Sequence, residues 1–316
     1  MKRILIKCYY ELKPFIPRYF QVLVRQHFAQ AKRARLKDSW PIDKSIGKKP
    51  EHWFGWPNGK KFALVLTHDV ESVVGQEKCG ELMQIEKERG FLSSFNFVPE
   101  RYDVSKTLRE YLTEQGYEVG VHDLKHDGKL YKSKKSFLRK AEKINRYLKE
   151  WNAVGFRSGA MHHNLDWIHA LSVQYDASTF DADPFEPQPD GMGTIFPSWI
   201  SRNGTSEGYV EMPYTLPQDF TLFVLLKEKN IDIWRRKLDW VVEQGGMVLL
   251  NTHPDYMNFE GKNKRYDAYP VDYYINFLDH IRTAYKDQYW NVLPKDLAAY
   301  FADQFHNRNQ RSHHEN

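Results

Sequence analysis

From residue 62 onward, short apolar runs alternate with segments of helical pattern, and this alternation limits the fold more than any other feature of the sequence. We interpret the apolar runs as strands over residues 62–67, 93–98, 117–121, 153–157, 175–179, 209–214 and 246–252. Helical segments separate several of them, at 76–89, 104–115, 133–151 and 231–246. A strand followed by a helix, repeated along the chain, is typical of a parallel sheet that is covered on both faces.

At a length of 316 residues, this pattern favours a closed or distorted β/α barrel over an open doubly wound sheet. No glycine-rich fingerprint follows any of the strands, which argues against dinucleotide binding. We therefore predict an α/β fold, with a distorted β/α barrel of about seven strands over residues 61–305. Residues 1–60 are expected to form a basic helical extension and a linker that wraps the barrel, and residues 306–316 a polar tail.

Basic residues are concentrated at the start of the chain. Residues 1–50 hold thirteen Lys or Arg against three Asp or Glu, whereas the whole chain carries a net charge of +5. The remainder is therefore mildly acidic, and this distribution argues against nucleic-acid binding over the whole protein. Residues 1–36 mix basic with apolar side chains, so they form either an interfacial helix on an anionic membrane or a helix that packs on the barrel.

We expect a cytoplasmic location, with any membrane contact peripheral and at the inner face. Lys7, Glu11 and Lys13 interrupt the first apolar runs, and no later stretch has the length and hydropathy of a membrane span. The two cysteines, Cys8 and Cys79, form no disulfide framework and match no zinc-ligand spacing. That cysteine usage fits a reducing compartment.

Polar side chains follow the carboxyl ends of the predicted strands. They are Asp69 and Glu71 after the first strand, His122 and His126 after the third, Arg157 at the end of the fourth, Asp181 and Asp183 after the fifth, and His253 after the last. The reactive groups of β/α barrels lie at this edge, so we expect these side chains to converge on one rim. The Pro- and Gly-rich segment 181–208 leaves the same rim, and its length predicts a substrate-binding loop.

Two acids and two histidines in this set predict a metal site. Asp69 and Glu71 are two residues apart in an extended segment, so their side chains point the same way, and such a pair is destabilising unless a cation lies between them. His122 and His126 are spaced i, i+4 on a turn, where side chains share a face. Two imidazoles and one carboxylate commonly bind zinc or a similar divalent ion. The alternative is a pair of surface histidines on a polar loop.

Five short stretches resemble, in order, the motifs of the NodB-type polysaccharide deacetylases, carbohydrate esterase family four. They are LTHDVE, HDLKH, GFRSGAM, YDASTFDADPF and LLNTHPD, and each lies at the end of a predicted strand. The resemblance covers residues 61–300 and implies a NodB-like distorted β/α barrel. It also implies a divalent metal, with zinc expected, held by Glu71, His122 and His126.

The resemblance further implies the residues that move protons. Asp69 is expected to be the general base, and Arg157 to keep it ionised and oriented. His253 is expected to be the general acid, and it then needs a carboxylate partner to stay protonated near neutral pH. Asp176 or Asp181 is expected to be that partner, and Asp181 is accordingly included among the catalytic residues.

The implied activity is metal-dependent hydrolysis of a non-peptide amide bond, the deacetylation of an N-acetylated sugar or glycan precursor. A carbohydrate or another N-acylated small molecule is therefore the expected substrate.

Two motifs depart from the family pattern. The usual adjacent pair of Asp residues is Asp-Val-Glu here, so either Asp69 or Glu71 supplies the metal carboxylate. The third motif has Gly159, Ala160 and Met161 in place of the usual Pro and aromatic residue. These departures leave two alternatives open, a catalytically inactive barrel that binds glycan and a hydrolase of a small cyclic amide.

Overall fold

The computed structural model describes residues 17–36, 39–51, 53–261 and 265–314, with side chains as far as residue 308. The strands are β1 (Phe62–Val70), β2 (Ser93–Phe97), β3 (Glu118–His122), β4 (Gly155–Arg157), β5 (Tyr175–Asp176), β6 (Ser198–Ser201), β7 (Gly208–Glu211), β8 (Met247–Thr252), β9 (Met257–Asn258), β10 (Tyr269–Pro270) and β11 (Tyr289–Asn291). The helices are α1 (Arg18–Arg35), α2 (Val73–Glu88), α3 (Lys106–Glu114), α4 (Lys134–Glu150), α5 (Leu165–Ile168), α6 (Asp232–Gln244), α7 (Asp272–Ala284) and α8 (Pro294–His314). A π-helix, Phe220–Leu225, lies between β7 and α6.

Strand β1 is the centre of the sheet, and all nine of its residues are buried. Residues 62–64 pair in parallel with β11, residues 66–70 with β2, and residues 63–68 with β8. The residues of β1 that pair with β8 include residues that also pair with β11 or β2. Strand β8 therefore lies along one edge of β1, and β11 and β2 lie along the other edge. From β2 the sheet continues in parallel through β3, β4, β5 and β7, and it ends in the antiparallel strand β6.

Hydrogen bonds from loop segments bring the far end of this sheet round to β8. The backbone N–H of Thr215 donates to the carbonyl of Leu249 at 3.0 Å, and the N–H of Leu249 donates to the hydroxyl oxygen of Thr215 at 3.0 Å. The N–H of Met247 donates to the carbonyl of Ile195 at 2.9 Å. Loops rather than regular strand pairing thus complete the curled sheet, and the predicted distorted β/α barrel is confirmed.

The seven predicted strands are all present, and the local signals that delimited the helices act as expected. The hydroxyl oxygen of Ser133 accepts a hydrogen bond from the N–H of Ser136 at 3.2 Å and caps α4, while Gly245 ends α6 with a φ of +74°. The prediction of a loop throughout 181–208 is wrong in part. Ser198–Ser201 forms β6, because these residues pair antiparallel with β7 at the edge of the sheet.

The chain before the barrel packs on its surface. In α1, Val22 and Ala29 are buried, and Nε2 of Gln26 donates to the carbonyl of Val224 in the π-helix at 2.8 Å. The indole Nε1 of Trp56 donates to the carbonyl of Gly245 at 2.9 Å. The described residues contain no helix that combines the length and the hydropathy needed to cross a bilayer.

The domain boundaries at residues 60 and 305 stay predictions, although α8 continues without a break to His314. Of the two cysteines, Cys79 is a buried free thiol, whereas Cys8 lies outside the described residues.

We predict that Leu250→Ala destabilises the protein by about 2–5 kcal/mol, because Leu250 is 1% exposed at the centre of β8 and truncation leaves a cavity. The matched control is Leu138→Ala on α4, where Leu138 is 42% exposed and the expected change is within about 0.5 kcal/mol. Urea-induced unfolding of the three proteins measures both values. Equal stability losses in the two variants would contradict the position of β8 in the core.

Candidate active site

The carboxyl ends of β1, β3, β4 and β8 meet at one rim of the barrel and carry most of the predicted site residues. Asp69 is the penultimate residue of β1, and Glu71 is the first residue after that strand. His122 is the last residue of β3, Arg157 the last of β4, and His253 follows β8. Parallel strands place these ends side by side, which is why residues far apart in sequence come together here.

Glu71, His122 and His126 form a compact trio. Each offers one ligand atom, and these atoms all lie within 4.8 Å of one another. Nε2 of His126 is 3.1 Å from Oε1 of Glu71. His126 follows β3 on a turn with a φ of +52°, and this left-handed residue directs its ring back toward His122, with the ring centroids 4.9 Å apart.

The protonation state and the hydrogen bonding of the His122 ring suit a metal ligand. Its Nδ1 is 3.0 Å from the carbonyl oxygen of Arg157, so Nδ1 carries the proton and donates it. Its Nε2 is buried and has no hydrogen-bond partner among the described residues. Burial is the largest influence and lowers the pKa of His122 to about 4, so the ring is neutral and Nε2 presents a lone pair. A buried acceptor without a partner is costly, and a cation bound there would relieve the cost.

Arg101 lies beside the trio and was not identified from the sequence. Its Nη1 is 2.9 Å from Nδ1 of His126 and 3.9 Å from Oε2 of Glu71. A guanidinium only donates, so Nδ1 of His126 accepts, and the ring proton lies on Nε2 facing Glu71. Arg101 thus supplies a positive charge next to Glu71.

Asp69 is held by donors on three sides. Nη1 of Arg157 is 3.2 Å from Oδ1, Nδ2 of Asn96 is 3.1 Å from Oδ1, and Nδ2 of Asn251 is 2.8 Å from Oδ2. Burial would raise the pKa of Asp69, but His122, Arg157 and His253 together hold it far below its ordinary value. Asp69 is therefore an ionised carboxylate that is fixed in orientation.

The carboxylate partner of His253 is Asp219, and the expectation of Asp176 or Asp181 is wrong. Oδ1 of Asp219 is 2.6 Å from Nδ1 of His253, and Oδ2 accepts from the N–H of His253 at 2.8 Å. Asp181 instead lies 2.7 Å from Nζ of Lys237, and Asp176 accepts a hydrogen bond from the hydroxyl of Ser178 at 2.6 Å.

The reason for this error is tertiary. Asp219 caps the π-helix, and the closure of the barrel between Thr215 and Leu249 brings that helix under the end of β8. An acid immediately before the apolar run Phe220–Leu225 is a helix-capping signal in the sequence, but nothing in that signal connects it to His253.

His253 is the protonated group of the rim. Burial would lower its pKa, but the carboxylates of Asp219, Glu71 and Asp69 outweigh burial and raise it to about 10. Its Nε2 lies 4.0 Å from Oε1 of Glu71, so the imidazolium faces the trio. An ionised carboxylate and a protonated imidazole on opposite sides of one small space can accept and donate protons to the same bound molecule.

A hydrogen-bond chain links the trio to α1. The hydroxyl of Tyr256 donates to Oε2 of Glu71 at 3.0 Å, and Nη2 of Arg18 donates to the hydroxyl oxygen of Tyr256 at 2.8 Å. No local sequence pattern indicates this contact, because it joins residues 238 positions apart.

Comparison with known proteins supports the fold. The structure resembles a putative polysaccharide deacetylase from Mycobacterium smegmatis, with a TM-score of 0.62, 17% identity, and coverage of 81% of this chain and 95% of that chain. It also resembles a probable polysaccharide deacetylase from Pseudomonas aeruginosa PAO1, with a TM-score of 0.60, 15% identity and coverage of 83% and 98%. A Puue allantoinase gives a TM-score of 0.60, 14% identity and coverage of 83% and 97%.

No family model and no curated protein matches the sequence. At these identities the structural matches show a shared fold. It is the fold of the polysaccharide deacetylases, the proteins whose motifs the five sequence stretches resemble.

We predict that Asp219→Asn lowers the pKa of His253 from about 10 toward its ordinary value of 6.5, because Asp219 is the strongest influence that raises it. The raised pKa stabilises the fold fully below pH 6.5, and this stabilisation is lost as the pH rises through about 10. The variant should therefore lose less stability over that interval than the parent protein.

NMR titration of the His253 ring and unfolding at several pH values measure both effects without added metal. Asp232→Asn, which removes an exposed carboxylate of α6, is the control, and an unchanged His253 pKa in Asp219→Asn would contradict the assignment.

Proposed function

We propose that the protein is a metal-dependent hydrolase that cleaves the amide bond of an N-acetylated sugar or glycan precursor. The observation that carries this proposal is the trio of Glu71, His122 and His126, in which a buried Nε2 of neutral His122 has no hydrogen-bond partner in the described part of the chain. The location of the trio beside an ionised Asp69 and a protonated His253 supports hydrolysis rather than a purely structural metal site.

The donor set fits zinc. Two imidazoles and one carboxylate leave further coordination positions for water and substrate, as catalytic zinc sites do. Of the two acids, Glu71 is the better candidate ligand, because one of its oxygens lies within 4.8 Å of ring nitrogens of both His122 and His126. Asp69 is instead held by Arg157, Asn96 and Asn251. A bound divalent ion would supply Lewis acidity toward the amide carbonyl and toward water.

The protein's own groups would carry out the proton transfers. Asp69, ionised and oriented by Arg157 and Asn251, accepts the proton of the attacking water. His253, protonated through Asp219, donates from Nε2 to the nitrogen of the leaving amine. Without that proton the amine is a poor leaving group, and each transfer contributes about 10²–10⁴-fold to the rate.

The substrate class follows from the family resemblance and from the predicted cytoplasmic location. In that location a glycan precursor or a soluble N-acetylated sugar is accessible, whereas mature cell-wall polymer is not. A small cyclic amide is the second substrate class, because an allantoinase has the same fold. A screen of both classes, scored by release of acetate or amine, distinguishes them.

We expect His126→Ala to lower both the amount of tightly bound divalent metal and the rate of acetate release, because it removes one of three ligands. The control is His280→Ala, which removes an imidazole on α7, away from the rim. Elemental analysis of the purified proteins measures the metal independently of turnover. Full metal content and an unchanged rate in His126→Ala would refute the proposed site.

We expect Asp69→Asn to reduce kcat by about 10²–10⁴-fold while metal content stays close to that of the parent protein, because the amide cannot accept the proton. Steady-state kinetics and elemental analysis on the same preparations separate the two effects. A catalytically inactive glycan-binding barrel predicts a different result, with no turnover in the parent protein and equal glycan affinity in both proteins.

A further inference from the structure

Helix α1 presents its apolar side chains to solvent. Phe20, Leu23, Val24 and Phe28 are 56%, 40%, 53% and 69% exposed, and their spacing of three and four residues places them in one stripe along the helix. Tyr19 is 46% exposed and packs edge-on against Tyr266, with ring centroids 5.1 Å apart. These five side chains of α1, Tyr19 included, are here called the α1 stripe, and they are five of the eleven exposed large apolar side chains in the described part of the chain.

The opposite face of α1 already holds the helix on the barrel. Val22 and Ala29 are buried there, and the guanidinium of Arg25 lies 4.8 Å from the ring centre of Phe220. Nη2 of Arg18 donates to Tyr256, as described above. The helix is therefore fixed by one face, and the α1 stripe is left for another partner.

The charge around the α1 stripe indicates what that partner is. The helix contains no Asp or Glu. Of the cations in its last turn, Lys32 and Arg33 lie over the rings of Phe185 and Trp40, at 5.7 and 4.8 Å from the ring centres, whereas Arg35 is exposed. Residues 1–50 as a whole hold thirteen basic against three acidic residues, on a chain whose remainder is acidic. A helix with an aromatic and aliphatic stripe and an excess of cations is the type that lies in the interface of an anionic lipid bilayer.

We propose that α1 is an interfacial anchor, with the α1 stripe inserted at the headgroup boundary of an anionic membrane. The exposed guanidinium of Arg35 then contacts lipid phosphates, and the axis of α1 lies in the membrane plane.

This orientation has a consequence for the rim. Arg18 begins α1 and reaches Glu71 through Tyr256, so two hydrogen bonds connect the start of the helix to the trio. A docked protein holds its rim close to the lipid surface, where an N-acetylated glycan carried on a lipid is available. This consequence rests on the proposed function, whereas membrane docking itself does not.

The test is flotation of the full-length protein with vesicles of phosphatidylcholine and phosphatidylglycerol, or of phosphatidylcholine alone. We expect binding to the anionic vesicles, weaker binding at high ionic strength, and little binding to the neutral vesicles. The double variant Phe20→Ser/Phe28→Ser should lose at least about tenfold in partitioning, because it removes two inserted rings. The matched control, Leu92→Ser/Leu138→Ser, removes two exposed leucines elsewhere and should bind like the parent protein.

Three results would overturn the proposal. The parent protein could stay in solution with both kinds of vesicle, or the Phe20→Ser/Phe28→Ser variant could bind as well as the parent protein. Light scattering could instead show a dimer that this variant converts to a monomer, in which case a second copy covers the α1 stripe. Because no arm uses turnover, failure here is distinguishable from failure of the proposed hydrolysis, and Phe28→Ser alone serves if the double variant does not fold.

Discussion

The buried ion pair between Arg157 and Asp69 is the interaction on which the rest of the rim depends. Nη1 of Arg157 lies 3.2 Å from Oδ1 of Asp69, and both side chains are almost fully buried. The same guanidinium donates to the carbonyl of Ala177 at 2.8 Å and to Oδ1 of Asn251 at 2.6 Å. One side chain thus joins the ends of β1, β4 and β8 to the segment after β5. Breaking such a pair leaves an uncompensated buried charge, which costs about 3–5 kcal/mol, so these strand ends are held in a fixed relation.

The charges of the rim determine its chemistry. Burial alone would raise the pKa of Asp69 and lower that of His253, which favours the neutral form of both groups. Neighbouring opposite charges reverse both shifts, so an ionised carboxylate and a protonated imidazole coexist within one small space. His122 is the exception, because burial prevails there and keeps the ring neutral. An acid, a base and a neutral ligand are the three states that the proposed hydrolysis needs.

The strand pattern and the chemistry at the strand ends could be predicted from the sequence because both are local. Alternation of apolar runs with helical segments gives a parallel sheet, and a parallel sheet places its carboxyl ends together. Asp69, Glu71, His122 and His253 were found in this way. Arg101 and Tyr256 could not be found, since Arg101 reaches Glu71 from a turn and Tyr256 from a short 3₁₀-helix, and the positions of both depend on packing. The short strand β6 was missed because four residues at a sheet edge carry little periodicity.

The residues at the strand ends of the rim follow from the order of strands along the chain, because a parallel sheet brings its carboxyl ends together. How those residues pair, and which loop residues join them, depends on the tertiary structure. Asp181 is paired with Lys237 rather than with His253, and Asp219 occupies the place beside His253. The choice between carboxylates depends on a distance of a few ångströms across the barrel, which is set by how the loop after β7 joins β8. A local sequence pattern contains no information about that closure.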